Sequence, residues 1–143
     1  MTMVLLDDHL LRDVLAEDAP DELARLLVDH EPATTNLYLY RLCRSVVSAR
    51  GGALTGSWSP EQRRALGSRL VALPDEVGVV PMRQLGSRMA EIAAAHRLST
   101  LGAEAVAAAE ALGAPLCVWA GDDGPGIREA MASLGGDYRP LAR

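Results

Sequence analysis

The sequence contains no lysine and no phenylalanine, only two cysteines, and no apolar run near the ~18 residues that a membrane span requires. Cys43 and Cys117 lie in apolar segments, which favours two buried free thiols over a bridge or a cysteine-based metal site and calls for no oxidising compartment. The apolar start at residues 3–6 meets Asp7-Asp8 before a signal-peptide core can form, so a cytoplasmic location without membrane contact is expected. With lysine absent, all 14 cations are arginine. Beside the abundant alanine this reads as GC-rich coding, which makes arginine abundance alone uninformative. A formal net charge of −5 argues against a protein whose whole surface grips nucleic acid, because that affinity comes largely from neutralised phosphates. A local basic patch stays open, since Arg41, Arg44, Arg50, Arg63, Arg64 and Arg69 face a single acid, Glu61, in their stretch. A solvated face of two surface helices explains the same residues.

What is present fits one domain over residues 1–143. That length suffices to bury ~70% of the unfolded surface. Hydrophobic residues at 49% and charged residues at 23% exclude intrinsic disorder, a collagen-like repeat and a coiled-coil rod. The chain alternates short apolar runs with helical patterns. Residues 3–6 read as a buried strand, and Asp7-Asp8 as the cap of a helix over 9–16. Leu23, Leu26 and Leu27 have helical spacing, residues 32–36 read as an edge strand or turn, and a helix follows over 37–50, stopped by Gly51-Gly52. Residues 53–57 read as a loop. Ser59-Pro60-Glu61-Gln62 carries a capping box and a first-turn proline for a helix to residue 73. Residues 77–80 form a second short buried strand, 82–96 and 100–111 are helical, 116–120 is the clearest strand, 127–134 is a last helix, and 137–141 is an extended tail. Strands too apolar to face water, separated by helices, predict an α/β protein: a three-layer α/β/α sandwich around a central parallel sheet of four or five strands.

Ligands of such sheets bind beyond the carboxyl ends of the strands. Two acidic pairs belong there, Asp7-Asp8 after the first strand and Asp122-Asp123 after the strand at 116–120. Clustered carboxylates repel unless a cation lies between them, and Mg²⁺ or Mn²⁺ suits a few carboxylate oxygens with free waters. Helix capping and an ordinary Asp-Asp-Gly loop compete with that reading.

The order of the elements resembles the PIN-domain (PilT N-terminus) family, which includes the VapC-type toxin ribonucleases. Residues 4–11, an apolar strand ending in Asp7 and leading into a helix, resemble the family's start. The small-residue helix at 105–111, Leu112-Gly113, the strand at 116–120 and the loop to Asp122 resemble its end. The resemblance spans nearly the whole chain and implies Asp7 and Asp122 as catalytic acids of a divalent-metal-dependent ribonuclease. Asp8, Glu104 and Asp123 are the further candidate metal ligands. It also implies a homodimer and, for toxins, an antitoxin-like protein partner.

The departures weaken the catalytic reading. Arg41 falls where the family has a helical Glu, and Gly102 where it has an Asp. Glu104 lies roughly 200° round the helix from Gly102, an exposed helix-start acid unless the helix begins differently. Ala120 replaces the usual Thr. A guanidinium among Asp7 and Asp122 would fill the electrostatic role of a metal ion. Turned outward, Arg41 would contact an RNA phosphate, with Arg44 and Arg50 beside it.

Other chemistries have little support. His9, His30 and His96 lack metal-ligand spacing and read as surface or helix-end residues, and residues 121–126 lack the Lys-Ser/Thr of a phosphate-binding loop. Tyr38 and Tyr40 point to different helix faces and read as core and interface; Trp119 reads as packing. The expectation is a PIN-like domain with an incomplete acidic set that binds RNA or a protein partner with little or no hydrolysis. An active Mg²⁺- or Mn²⁺-dependent ribonuclease of toxin–antitoxin type is the alternative.

Overall fold

In a computed structural model that describes residues 2–143, the chain forms a five-stranded, all-parallel sheet covered by helices on both faces, the α/β/α sandwich that the pattern predicts. The elements run β1 (Thr2–Leu6), α1 (Asp8–Leu15), α2 (Asp21–Asp29), β2 (His30–Thr35), α3 (Asn36–Val47), α4 (Gly52–Thr55), α5 (Pro60–Val71), β3 (Gly78–Val80), α6 (Gly86–His96), α7 (Thr100–Leu112), β4 (Leu116–Trp119), α8 (Pro125–Ser133) and β5 (Tyr138–Leu141). Short 3₁₀ turns occupy Met82–Gln84 and Ala120–Asp122. No helix among the described residues is long and apolar enough to cross a membrane.

Alternation along β1 builds two cores at once. Leu5 packs on one face, against Met89 and Ile92 of α6 and the alanine-rich α7. Val4 and Leu6 pack on the other, against Leu10 of α1 and Leu23 of α2. A third cluster joins Leu11 and Leu15 of α1 to Leu42 of α3 and Leu66 of α5. Each of these leucines contributes about 1.5–3 kcal/mol by burial. Small residues let α7 lie close to the sheet, and Gly113, at φ +59, ends it in a left-handed turn that leads into β4.

Strand order is β3-β2-β1-β4-β5. The chain builds outward from β1 on one side and then returns to build on the other. The switch point of the sheet therefore lies between β1 and β4, which pair through Leu5↔Leu116 and Leu6↔Cys117.

Several sequence expectations need correction. Residues 30–35 are an interior strand rather than an edge or turn, because β3 flanks β2 from Ala33 onward. Pro32 is tolerated because only residues past it have β3 as a neighbour. β3 is itself an edge strand and only partly buried. Residues 52–55 make one helical turn instead of a loop, fastened by Thr55, whose hydroxyl donates to the Ser45 carbonyl over 3.1 Å. The stretch 82–96 opens as a 3₁₀ turn before α6 begins at Gly86. Cys117 is buried, but Cys43 is only partly so.

Candidate functional site

A crevice of about 280 Å³ opens at the switch point, beyond the carboxyl ends of β1 and β4. Asp7, Asp8, Asp122 and Asp123 all line it, so neighbouring strands bring the two acidic pairs together. Tyr38 and Arg41 of α3 form a second wall, and Tyr138 and Ile127 a third. A larger cavity of about 510 Å³ lies at the opposite end of the sheet, among the turns at Gly113 and Gly135. The carboxyl group raised by burial belongs to the smaller one, whereas Glu110 at the larger cavity is lowered by an exposed pairing with Arg88, which makes the crevice the candidate for chemistry.

Asp7 closes β1 and caps α1: its side chain is buried and accepts the Leu10 N–H over 2.9 Å. Burial pushes its carboxyl group up to about 8; the Leu10 bond opposes this, while the charges of Asp8 and Asp122 add to it. Near neutral pH Asp7 thus holds a proton in the place of a cation.

Asp8 follows at the first position of α1. One of its oxygens accepts the His9 N–H over 2.9 Å. The other, Oδ2, lies 3.0 Å from Nη1 of Arg41, yet it is buried and receives no hydrogen bond. The pair is ionic but not aligned. Arg41 was expected among Asp7 and Asp122, and the structure sets it against Asp8 instead. Among the crevice acids Asp8 is the one that pairs with α3, because α1 and α3 pack side by side through Leu11 and Leu42.

The late acids also have partners. Asp122 Oδ2 lies 3.5 Å from His9 Nδ1. Asp123 accepts the Tyr138 hydroxyl over 2.7 Å and pairs with Arg128. Tyr138 in turn accepts the Gly124 N–H over 3.1 Å, which fixes the loop after β4. Burial raises the phenols of Tyr38 and Tyr138 above the ordinary tyrosine range, so both stay protonated.

Glu104 does not line the crevice, and it is not an exposed acid either. It is fully buried, accepts the Leu37 N–H over 2.9 Å and the Asn36 side-chain amide over 3.3 Å, and so serves the start of α3. Gly102 packs beside Ile127 and Leu98.

The basic stretch divides. Arg63 donates to the carbonyls of Ser48 and Ala49, and Arg69 pairs with Glu17. Arg44 and Arg50 are exposed and form no ion pair among the described residues. Arg41 and Arg44, three residues apart, share a helix face that leads out of the crevice.

Sequence reasoning missed His9, Tyr38, Arg128 and Tyr138 as parts of the site. Position directly after Asp7-Asp8 was a signal for His9. Nothing local marks Tyr138, which enters only because β5 pairs with β4. A further buried acid, Asp13, was also missed. Asp13 pairs with Arg12 at 2.9 Å and Arg143 at 3.2 Å and accepts the Trp119 indole N–H over 2.8 Å, so Trp119 bonds as well as packs. That network anchors the helix carrying Asp8 and His9.

Carboxylate oxygens at adjacent strand ends are the donors that Mg²⁺ or Mn²⁺ prefers. Among the described residues, however, no three His, Cys, Asp or Glu side chains form a group able to hold a metal ion. The donor chemistry is suitable, but the arrangement with Arg41 on Asp8 does not fit a metal centre. No family model matches the chain, and no curated protein matches it.

Proposed function

We propose that this protein is a PIN-like domain of nuclease ancestry that binds RNA at the crevice and along the arginine flank of α3, with little or no hydrolysis. The observation that carries this reading is the guanidinium of Arg41 over Asp8 Oδ2 at 3.0 Å, a resident cation where a hydrolytic site needs a free carboxylate. Two other acids are similarly engaged, Asp7 by its proton and Asp123 by Arg128, and Asp122 has His9 beside it. A crevice compensated in this way has little charge left to recruit a cation. The flank beside it, with Arg44 and Arg50 exposed, retains positive charge for phosphates. The test is a labelled single-stranded RNA incubated with wild type and Asp7→Asn, with and without Mn²⁺, and resolved on a denaturing gel. Intact RNA in every lane supports the reading; Mn²⁺-dependent cleavage lost in Asp7→Asn overturns it.

One observation favours the alternative, an active Mg²⁺- or Mn²⁺-dependent ribonuclease: Asp8 Oδ2 is buried beside Asp7 without a hydrogen-bond donor. A protein contact, with an antitoxin-like partner or a second copy, has support in Tyr40 and Val47, large apolar side chains exposed on α3.

A further inference from the structure

The protein has two tryptophans, three tyrosines and no phenylalanine, and all but one of these rings have a partner that accounts for them. Trp58 lies under the guanidinium of Arg12 and Trp119 under that of Arg143, at 5.9 and 5.0 Å from the ring centres. Tyr38 is buried in the core, and the hydroxyl of Tyr138 holds Asp123. Tyr40 differs from them. It stands 60% exposed on α3, and no guanidinium covers its ring among the described residues. The ring forms one wall of an open depression of about 380 Å³, whose other walls are Cys43, Arg44, Val47 and Ser48.

The surroundings of this ring carry one sign of charge. From Pro32 to Pro60 the sequence has no acidic residue, yet Arg41, Arg44 and Arg50 all fall within that stretch. At ~100° per residue, Arg44 lies about 40° and Arg41 about 100° round the helix from Tyr40, so ring and guanidinium groups share one side of α3. Arg41 is 49% exposed at the crevice, and Arg44 and Arg50 are exposed. Val47 makes the same face partly apolar, but a second copy of the chain fits it poorly. A two-fold contact sets a patch against itself, which would bring Arg44 towards Arg44 with no acid in the stretch to offset the repulsion. A single nucleic-acid strand brings what the surface lacks, negative charge beside flat rings.

We propose that Tyr40 is a stacking platform for one base of a single-stranded RNA whose adjoining phosphates lie on Arg44 and Arg41. The inference rests on the RNA-binding reading above and deepens it: single strands are preferred to duplexes, because only an unpaired base can offer its face to a ring on a helix surface. Stacking is not an ionic contact. Its share of the affinity therefore persists as salt rises, while the share of the phosphate contacts fades.

The test is fluorescence anisotropy of a short labelled RNA, single-stranded or annealed to its complement, with wild type, Tyr40→Phe, Tyr40→Ala and Arg44→Ala at several salt concentrations. Tyr40→Phe is expected to bind the single strand within about twofold of wild type. Tyr40→Ala should bind at least about fivefold more weakly at every salt concentration, with the slope of log affinity against log salt unchanged. Arg44→Ala should lower that slope by roughly 1, and the duplex should bind wild type at least about fivefold more weakly than the single strand. Tyr40→Leu, which keeps apolar bulk without a π face, replaces the alanine variant if thermal melting shows that the latter does not fold. The proposal is overturned if a folded variant lacking the ring binds as wild type does, if its loss appears as a change of slope, or if the duplex binds as tightly as the single strand. Sedimentation of the same proteins covers the competing occupant: a dimeric wild type whose Tyr40→Ala variant is monomeric, with RNA affinity unaltered, assigns the face to a second copy and overturns the platform. Wild type that binds no RNA overturns the RNA reading and the platform together, whereas wild type that binds single strands equally well with and without the ring overturns only the role of Tyr40.

Discussion

Asp7 shows how one side chain answers two demands. It must cap α1, and it must do so buried beside two other carboxylates, so it retains a proton up to about pH 8. The unfolded chain releases that proton near the ordinary value of 3.8. The stability contribution of Asp7 is therefore full below about pH 4, declines as pH rises towards 8, and is flat above that. Asp7→Asn keeps the cap and removes the titration, since Asn caps a helix as well as Asp does. We expect the variant to exceed wild type at pH 8.5 by on the order of a few kcal/mol, with the two converging at pH 4, as denaturant unfolding across that range would reveal. Wild type that gains stability between pH 5 and 8 through this residue would contradict the assignment. At Arg41 the residue scale gives a second prediction. Arg41→Glu adds a further carboxylate and should lower the melting temperature without metal, while Mn²⁺ at ~100 times its dissociation constant should restore about 2.7 kcal/mol. The acids were legible in the sequence from their places after apolar strands. The partner of Arg41 was not, because it depends on how α1 and α3 pack.

Elements carry these side chains into place. Thr35 caps α3 by accepting the Tyr38 N–H over 3.1 Å, and Glu104 adds a buried acceptor for the Leu37 N–H, so α3 starts at a fixed point and delivers Tyr38 and Arg41 to the crevice. Glu104→Ala removes the buried acceptor of the half-buried Leu37 N–H and should cost about 1–3 kcal/mol. Chemical denaturation would measure this, and a cost below ~0.5 kcal/mol would show that Glu104 does not hold α3. Trp119→Phe keeps one aromatic ring but removes the N–H that reaches Asp13 and part of the indole's buried volume, with an expected loss of about 1–3 kcal/mol in the same assay. β1, β4 and the capping box of α5 were readable in advance, because their signals are local: apolar runs, and Ser59 with Gln62 exchanging bonds at 2.9 and 3.1 Å. β2 was misread because Pro32 normally marks an edge, and the late start of β3 that excuses it is a fact of the sheet. Glu104 was misjudged for the same kind of reason. Its place near the start of α7 suggests exposure, yet α3 covers it.

At the scale of the molecule, strand order makes the site. β1 at the centre and β4 beside it bring residues from the two ends of the chain to one crevice, an adjacency that the alternation of strands and helices implies only as a class of fold. The same arrangement leaves an acidic protein with one arginine-rich flank. That asymmetry predicts RNA binding that is sensitive to salt yet restricted to a few phosphates: Arg44→Ala and Arg50→Ala should each reduce the slope of log affinity against log salt by roughly 1. The most direct measurement of the central claim is the fluorescence anisotropy of a labelled single-stranded RNA titrated with wild-type protein between 50 and 200 mM salt in the presence of Mn²⁺, with the strand recovered and sized afterwards. The account predicts saturable binding that weakens as salt rises, and a strand recovered at full length. Anisotropy that never rises, or a strand recovered in pieces, would contradict it.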